Sequence, residues 1–321
     1  MSLATVKPKL IVICGPTGIG KTSAAIDVAE TFTGEIINAD SMQVYRSMNI
    51  GTAKPTVAER ARIPHHLVDV VDPDEDFDAA RFSLQARKIV HELTRRRIIP
   101  VVAGGTGLYI KALLYGLFQT DPPDPAIRRK LRAEAETIGS DALHRRLKDI
   151  DPAAAARIHT RDTFRIIRAL ETVVATGKSI TDHHLRHGFR ESPFRSLKVG
   201  LDMDRKRLYE RINSRVDAMI TAGLVEEVRD LLKRGVDGRK KAMRALGYRH
   251  MVDFLSGRLP WDEAVRIMKR DTRRFAKRQL SWFRADKEIE WCTPDNISAL
   301  YPKIQAFLES SEPPRPNIAG Q

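Results

Sequence analysis

Apolar residues come in short continuous runs near the start of the chain and at helical spacing further on, so the pattern changes character along its length. Leu10-Ile11-Val12-Ile13-Cys14 has no polar position on either face, as a strand buried on both sides of a parallel sheet requires. Glu35-Ile36-Ile37-Asn38, His66-Leu67-Val68-Asp69-Val70-Val71 and Ile98-Ile99-Pro100-Val101-Val102-Ala103 read as further strands. Helical patterns lie between them at Ser23 to Ala29 and Ala79 to Arg97. That alternation predicts an α/β fold, a parallel sheet with helices on both faces.

The breaker cluster Asp121-Pro122-Pro123-Asp124-Pro125 ends the alternation. Ala126 to Ile138, Asp141 to Asp149, Pro152 to Ile158 and Asp162 to Ala175 read as short amphipathic helices without apolar strands between them. A strand returns at Leu197-Lys198-Val199-Gly200-Leu201, followed by a long helix from Arg205 to Ile220, so the helical block reads as an insertion into the core. After Gly223 the chain is again helical, through Trp261 to Arg284, before a last strand at Glu288 to Cys292. The expected organisation is an α/β core over 1–120, a helical insertion over 121–196, and a return of the core with basic helices over 197–309. A polar, Pro-rich tail over 310–321 is expected to be disordered. No internal repeat is visible.

Charge sharpens this picture. Of a formal net charge of +14 on 321 residues, an excess of ten lies between Arg239 and Lys287, where fifteen basic residues face five acidic ones. A solvated helix surface mixes both signs, so this concentration points to a nucleic acid or another phosphate-rich partner. Two cysteines, Cys14 and Cys292, exclude a disulfide framework and a Cys-rich zinc site, and both read as buried strand residues. No apolar run is long enough to cross a membrane, and the chain is expected to be cytoplasmic.

The chemistry begins at Gly15-Pro16-Thr17-Gly18-Ile19-Gly20-Lys21-Thr22, which satisfies the phosphate-loop pattern between a strand and a helix start. Such a loop turns backbone N–H groups onto phosphate oxygens, places the Lys21 ammonium against them and offers the Thr22 hydroxyl to Mg²⁺. In an open parallel sheet, ligands bind beyond the carboxyl ends of the strands. Asp40-Ser41-Met42-Gln43, after the second strand, and Gly104-Gly105-Thr106, after the strand ending at Ala103, therefore face the same mouth. From position alone Asp40 reads equally as a general base, an outer ligand of Mg²⁺ or a helix cap, and Thr106 as a ligand contact or a helix cap.

These segments, together with Met48-Asn49-Ile50-Gly51-Thr52-Ala53-Lys54-Pro55, Pro64-His65-His66-Leu67, Arg165-Ile166-Ile167-Arg168-Ala169-Leu170-Glu171, Ala245-Leu246-Gly247-Tyr248-Arg249 and Thr272 to Arg284, closely resemble the tRNA dimethylallyltransferases. The ordered motifs run from Gly15 to Arg284. The resemblance implies a phosphate-loop NTPase-like core that transfers a dimethylallyl group from dimethylallyl diphosphate to N6 of the adenosine immediately 3′ of the anticodon, in tRNAs reading codons that begin with U. It implies Asp40 as the base that takes the N6 proton, Thr106 at the substrate adenosine, Arg128 on the leaving diphosphate, and Gly15 to Thr22 as the diphosphate site, with Mg²⁺ on Thr22. The anticodon stem-loop would be held by Asp40, Ser41, Met42, Gln43, Phe164, Arg165, Ile166, Ile167, Arg168, Arg273, Arg274, Lys277 and Arg278, with the base flipped out to reach the diphosphate. A monomeric working unit is expected.

Phe164 departs from the Gln usual in the family, and could stack on a loop base or be buried. Of Arg273, Arg274, Lys277 and Arg278, at least two should share a helix face; the competing expectation is that they pair with core acids. His65-His66 reads as strand packing or local hydrogen bonding, and His183, His184 and His187 as surface-loop residues. Three other functions compete: a nucleoside or nucleotide kinase, an isopentenyltransferase acting on free adenine nucleotides, and a nucleic-acid-binding protein switched by nucleotide. None gives a reason both for the basic helices and for a carboxylate beside the phosphate loop.

Overall fold

The computed structural model describes residues 7–117, 125–187 and 192–311. The chain divides into two compact units, one of residues 1–114 and 193–321 and one of Tyr115–Ser192.

The larger unit opens with β1 (Lys9–Cys14), α1 (Lys21–Thr31), β2 (Gly34–Asn38), α2 (Val57–Arg62), β3 (His65–His66), α3 (Ala79–Arg95), β4 (Ile99–Gly104) and α4 (Gly107–Tyr115). The smaller unit holds α5 (Pro125–Ile138), α6 (Ser140–Ile150), α7 (Pro152–Arg157), α8 (Thr163–Thr176) and α9 (Ile180–His187). The larger unit resumes with β5 (Arg195–Leu201), α10 (Arg205–Thr221), α11 (Leu224–Lys233), α12 (Tyr248–Leu255), α13 (Trp261–Arg284), β6 (Ile289–Cys292), a 3-10 turn at Pro294–Leu300 and α14 (Tyr301–Glu309).

Six strands form one sheet in the order β3-β2-β4-β1-β5-β6, parallel at every pairing. Leu10 to Cys14 are buried, which explains their unbroken apolar run: helices cover both faces of the central strand. Ile11 and Ile13 pack with Ala24, Ala25 and Val28 of α1, Val101 of β4, Val199 of β5 and Ile212 of α10. Each such isoleucine or valine side chain contributes about 1.5–3 kcal/mol when fully buried. The loop at the carboxyl end of β1 is therefore anchored on one of the most firmly packed strands.

Three local expectations are corrected. The strand expected over His66–Val71 stops at His66, because Leu67 (φ 59°) and Asp69 (φ 57°) take left-handed backbone that breaks the ladder, leaving Val71 only an isolated bridge to Tyr45. His183, His184 and His187 belong to α9 rather than a loop, and the His183 ring meets the Thr176 hydroxyl at 2.9 Å. Cys14 is buried as expected, but Cys292 on the edge strand β6 is only half-buried. The breaker cluster lies largely outside the described residues, as does most of the expected tail. Among the described residues no helix is long and apolar enough to cross a membrane.

Candidate active site

The turn from β1 into α1 is built to leave donors unspent. Gly20 precedes α1 at φ 108°, a left-handed conformation that a side chain would strain, and it supplies no side-chain cap. The first turn of α1 also carries no acidic residue, so its N–H groups and its dipole remain available to an anion. Lys21 Nζ donates to Pro16 O at 2.8 Å, folding the ammonium back over the loop. Burial lowers the Lys21 pKa to about 8, with Asp40 opposing and Arg215 reinforcing the shift. The neighbouring Cys14 thiol is pushed up to about 12 by burial and stays neutral.

Asp40 stands beyond the end of β2. Its carboxylate accepts from Met42 N at 2.8 Å, an Asx turn with no regular helix after it, which removes the helix-cap reading. Among the described residues the Thr106 hydroxyl likewise caps no helix. Its Oγ1 accepts from Ser41 N at 3.0 Å and donates to Ser41 Oγ at 3.4 Å, while Thr106 N donates to Ala39 O at 3.2 Å. The two loops are thus stitched together on either side of Asp40. Gly104 makes this possible: a Cβ there would lie 2.2 Å from Ala39 O, an impossible contact.

Two cavities meet at this carboxylate. The larger, about 700 Å³, runs along Thr17 to Ser23 and is walled by Arg211 and Arg215 of α10. The smaller, about 260 Å³, is lined by Ser41, Met42 and Thr106 on one side and by Leu246, Phe275 and Arg278 on another. Thr17, Asp40, Thr52 and Arg215 border both. Among the described residues, Lys21, Arg211 and Arg215 have no carboxylate within ion-pair distance, although Asp40, Glu59 and Glu210 also line the cavity that these three cations share. Burial depresses the Arg215 pKa, partly offset by Asp40. An arrangement of this kind accepts a multiply charged anion in the larger space and, in the smaller, a second group that meets apolar and hydroxyl side chains as well as arginines.

Two functional contributors escape sequence reasoning. Arg207, Arg211 and Arg215 recur every four residues on α10, each one position before the buried Leu208, Ile212 and Val216, a spacing that could have marked them. Gln279 lies in the Thr272 to Arg284 segment that carries the resemblance, but nothing in the sequence pointed to its role. From α13 its Oε1 accepts from Thr17 N at 2.9 Å and its Nε2 donates to Gly105 O at 2.8 Å, bracing the phosphate loop against the loop after β4.

Of the expected RNA-facing residues, Gln43 is buried, donating from Nε2 to Thr52 O at 3.2 Å and Ala53 O at 3.1 Å. Arg273 turns inward to Asn213 Oδ1 at 2.6 Å and lies against the Tyr209 ring. Arg274, Lys277 and Arg278 are exposed at one-turn spacing on α13, and none forms an ion pair among the described residues. In the smaller unit, Ile166 and Ile167 are buried in its core with Leu143, Leu147 and Leu170, so they offer no surface to RNA. Phe164 is 70% exposed, which excludes the packing alternative. Arg165 pairs with Asp162 at 3.5 Å.

Arg128 is not a free cation. It makes a two-pronged contact with the fully buried Glu171, at 2.9 and 2.8 Å, which Arg168 joins at 3.1 Å. His65 Nδ1 meets Ile63 O at 2.8 Å and His66 Nε2 meets Glu35 at 2.7 Å, local roles as expected.

The comparisons agree with this geometry. A family model described as IPP transferase matches residues 43–286, and one described as isopentenyl transferase matches residues 8–66. The tRNA dimethylallyltransferase of Desulfosudis oleivorans is 54% identical over 285 residues, 89% of this chain and 91% of its own. The full-length tRNA isopentenylpyrophosphate transferase from Bacillus halodurans has a similar structure, with a TM-score of 0.72 at 40% identity, over 94% of this chain and 97% of that one. A eukaryotic dimethylallyltransferase acting on tRNA gives a TM-score of 0.78 at 28% identity, over 93% of this chain and 78% of that one. The chain belongs to the tRNA dimethylallyltransferase family.

Proposed function

We propose that this enzyme transfers a dimethylallyl group from dimethylallyl diphosphate to N6 of the adenosine immediately 3′ of the anticodon, in tRNAs reading codons that begin with U. The observation that carries the reading is the pair of cavities meeting at Asp40, one running along the phosphate loop with Lys21, Arg211 and Arg215 on its wall, the other combining Ser41, Met42, Leu246 and Phe275 with Arg215, Arg244, Arg249 and Arg278. In this reading the diphosphate lies along Gly15 to Thr22, against the first-turn amides of α1, Lys21, Arg211 and Arg215. The allylic C–O bond breaks as these groups take up the charge that develops on the leaving diphosphate. The N6 lone pair forms the C–N bond, and Asp40 accepts the proton lost from N6. Thr106 and Ser41 hold the Asp40 turn in place, and with Met42 they form the wall against the adenine.

Mg²⁺ fits the donor set. Thr22 and Asp40 present oxygen donors to the larger cavity, and no three His, Cys, Asp or Glu side chains gather into a cage among the described residues. Mg²⁺ held by one or two protein oxygens and the substrate phosphates needs no such cage. When bound, it supplies further charge neutralisation at the diphosphate. Arg128 is assigned to the leaving group by family likeness alone, and its tie to Glu171 makes Arg211 and Arg215 the better-supported cations for that role.

The test is incubation of unmodified tRNA with dimethylallyl diphosphate and Mg²⁺, followed by mass spectrometry of the nucleosides. The expected product carries one added dimethylallyl group on the adenosine 3′ of the anticodon. Modification of free AMP instead, or phosphorylation of a nucleoside with ATP, would favour the competing activities.

The exposed basic face of α13 is assigned to the tRNA backbone, and Phe164 to stacking on an anticodon-loop base. Changing Arg274 and Lys277 together to Ala should weaken tRNA binding and make log affinity against log salt shallower by roughly 1–2 units. Donor affinity should not change. A filter-binding salt titration with parallel calorimetry checks this, and an unchanged slope with a lower melting temperature would assign the pair to stability.

A further inference from the structure

The segment from Met48 to Lys54 contributes to both cavities yet has no helix or strand of its own to hold it. Its shape comes from a carboxylate far along the chain. Glu227 of α11 accepts from Asn49 N at 2.8 Å and Ile50 N at 2.9 Å through one oxygen, and from Gly51 N at 3.1 Å through the other. The second oxygen also accepts from Tyr248 Oη at 2.6 Å. Three consecutive backbone amides therefore converge on one side chain. Gly51 lies so tightly against Tyr248 that a Cβ would come within 2.4 Å of its ring.

The same loop is fastened from its other side. Lys54, whose side chain is 2% exposed, donates to Tyr45 O at 2.7 Å and Asn49 Oδ1 at 3.0 Å and pairs with Asp69 at 2.6 Å. Between these two fixings, Thr52 O and Ala53 O receive the Gln43 amide, and Gly51 and Thr52 face the smaller cavity. Glu227 itself lines neither cavity. Burial and the adjacent carboxylate hold the Tyr248 phenol well above its ordinary range, so it remains a donor.

We propose that Glu227 is a positioning residue for the acceptor: it holds the backbone of Asn49 to Gly51 so that Gly51 and Thr52 give the smaller cavity the shape that receives the flipped adenosine. The inference rests on the functional reading above, because it assigns that cavity to the nucleoside. A carboxylate suits the task because only an acceptor on both oxygens serves four donors. Glutamine has one acceptor oxygen and turns an NH₂ group toward amides that need a partner.

The test is steady-state transfer to tRNA by Glu227→Gln, Glu227→Asp and Tyr248→Phe, with donor affinity measured by calorimetry. Glu227→Gln should raise KM for tRNA by about tenfold or more, with kcat within a few-fold and dimethylallyl diphosphate affinity within about twofold. Glu227→Asp, which keeps the charge, should recover part of the loss. Tyr248→Phe, which removes one of the four bonds and keeps the ring against Gly51, should raise KM two- to threefold.

A Gln variant with wild-type KM, an Asp variant no better than Gln, or equal losses in kcat and donor affinity would each overturn the proposal. Should Glu227→Gln fail to fold, an unshifted KM in Tyr248→Phe overturns it alone. A wild type that forms no product would overturn the functional reading and this inference with it, whereas active but indistinguishable variants overturn this inference only.

Discussion

Asp40→Asn is expected to cut single-turnover transfer by about 10²–10⁴-fold while leaving tRNA and donor binding close to wild type. Asparagine keeps an oxygen for Met42 N, the one hydrogen bond the Asp40 side chain makes among the described residues, so the turn after β2 should survive. What is lost is the capacity to take a proton at the point where the two cavities meet. The Asp40 carboxylate is also a negative charge felt by both Lys21 and Arg215, so its removal should, if anything, favour the bound diphosphate. Rapid quench with saturating tRNA separates these effects. A rate within a few-fold of wild type would remove Asp40 from the chemistry, and a loss confined to donor affinity would recast it as an outer ligand of Mg²⁺.

Lys21→Met should behave differently, lowering donor affinity and turnover together. The diphosphate is charged in the ground state as well as when it leaves, so an ammonium beside it contributes to both. A charge-assisted hydrogen bond is worth about 1.5–3 kcal/mol, which corresponds to roughly a tenfold to hundredfold loss of donor affinity. Loss of a donor aimed at developing charge adds about 10²–10³-fold in turnover. Stability should move the other way. Burial disfavours the charged Lys21, whose pKa is lowered to about 8, so the unfolded chain holds that proton more tightly than the fold does. Near neutral pH the wild-type ammonium therefore works against folding, and replacing it with an apolar chain of similar length should leave the melting temperature unchanged or raise it. Calorimetry of donor binding and thermal unfolding check the two halves; wild-type donor affinity would displace the diphosphate from this loop.

The legible parts of the molecule were those whose cause is local. A strand buried on both faces must be apolar throughout, and a phosphate loop needs its glycines, lysine and threonine in fixed order, so Leu10 to Thr22 could be read directly. Trp261 to Arg284 keeps helical periodicity for 24 residues and emerges with the expected ends. His66 to Val71 misled because its β-branched, alternating composition competes with left-handed turns at Leu67 and Asp69, which are tied to Asn38 and Lys54 elsewhere in the fold. Gln279 and Glu227 were invisible for the same reason in stronger form. An amide or a carboxylate on an amphipathic helix reads as ordinary solvated surface until the chain brings unsatisfied backbone beside it.

The brace from Gln279 to Thr17 joins positions 262 residues apart, and it bears on how the protein comes into being on the ribosome. The chain emerges amino terminus first, so β1, α1 and the phosphate loop leave the exit tunnel long before their supports exist. Strand β1 gains its neighbour β5 only after the whole of Tyr115–Ser192 has been synthesised. The loop gains its last hydrogen bond only when α13 is out. A nascent chain stalled or cleaved before Gln279 would thus carry the complete phosphate-loop sequence without its final brace, and competence for the donor arrives as one of the last events of synthesis.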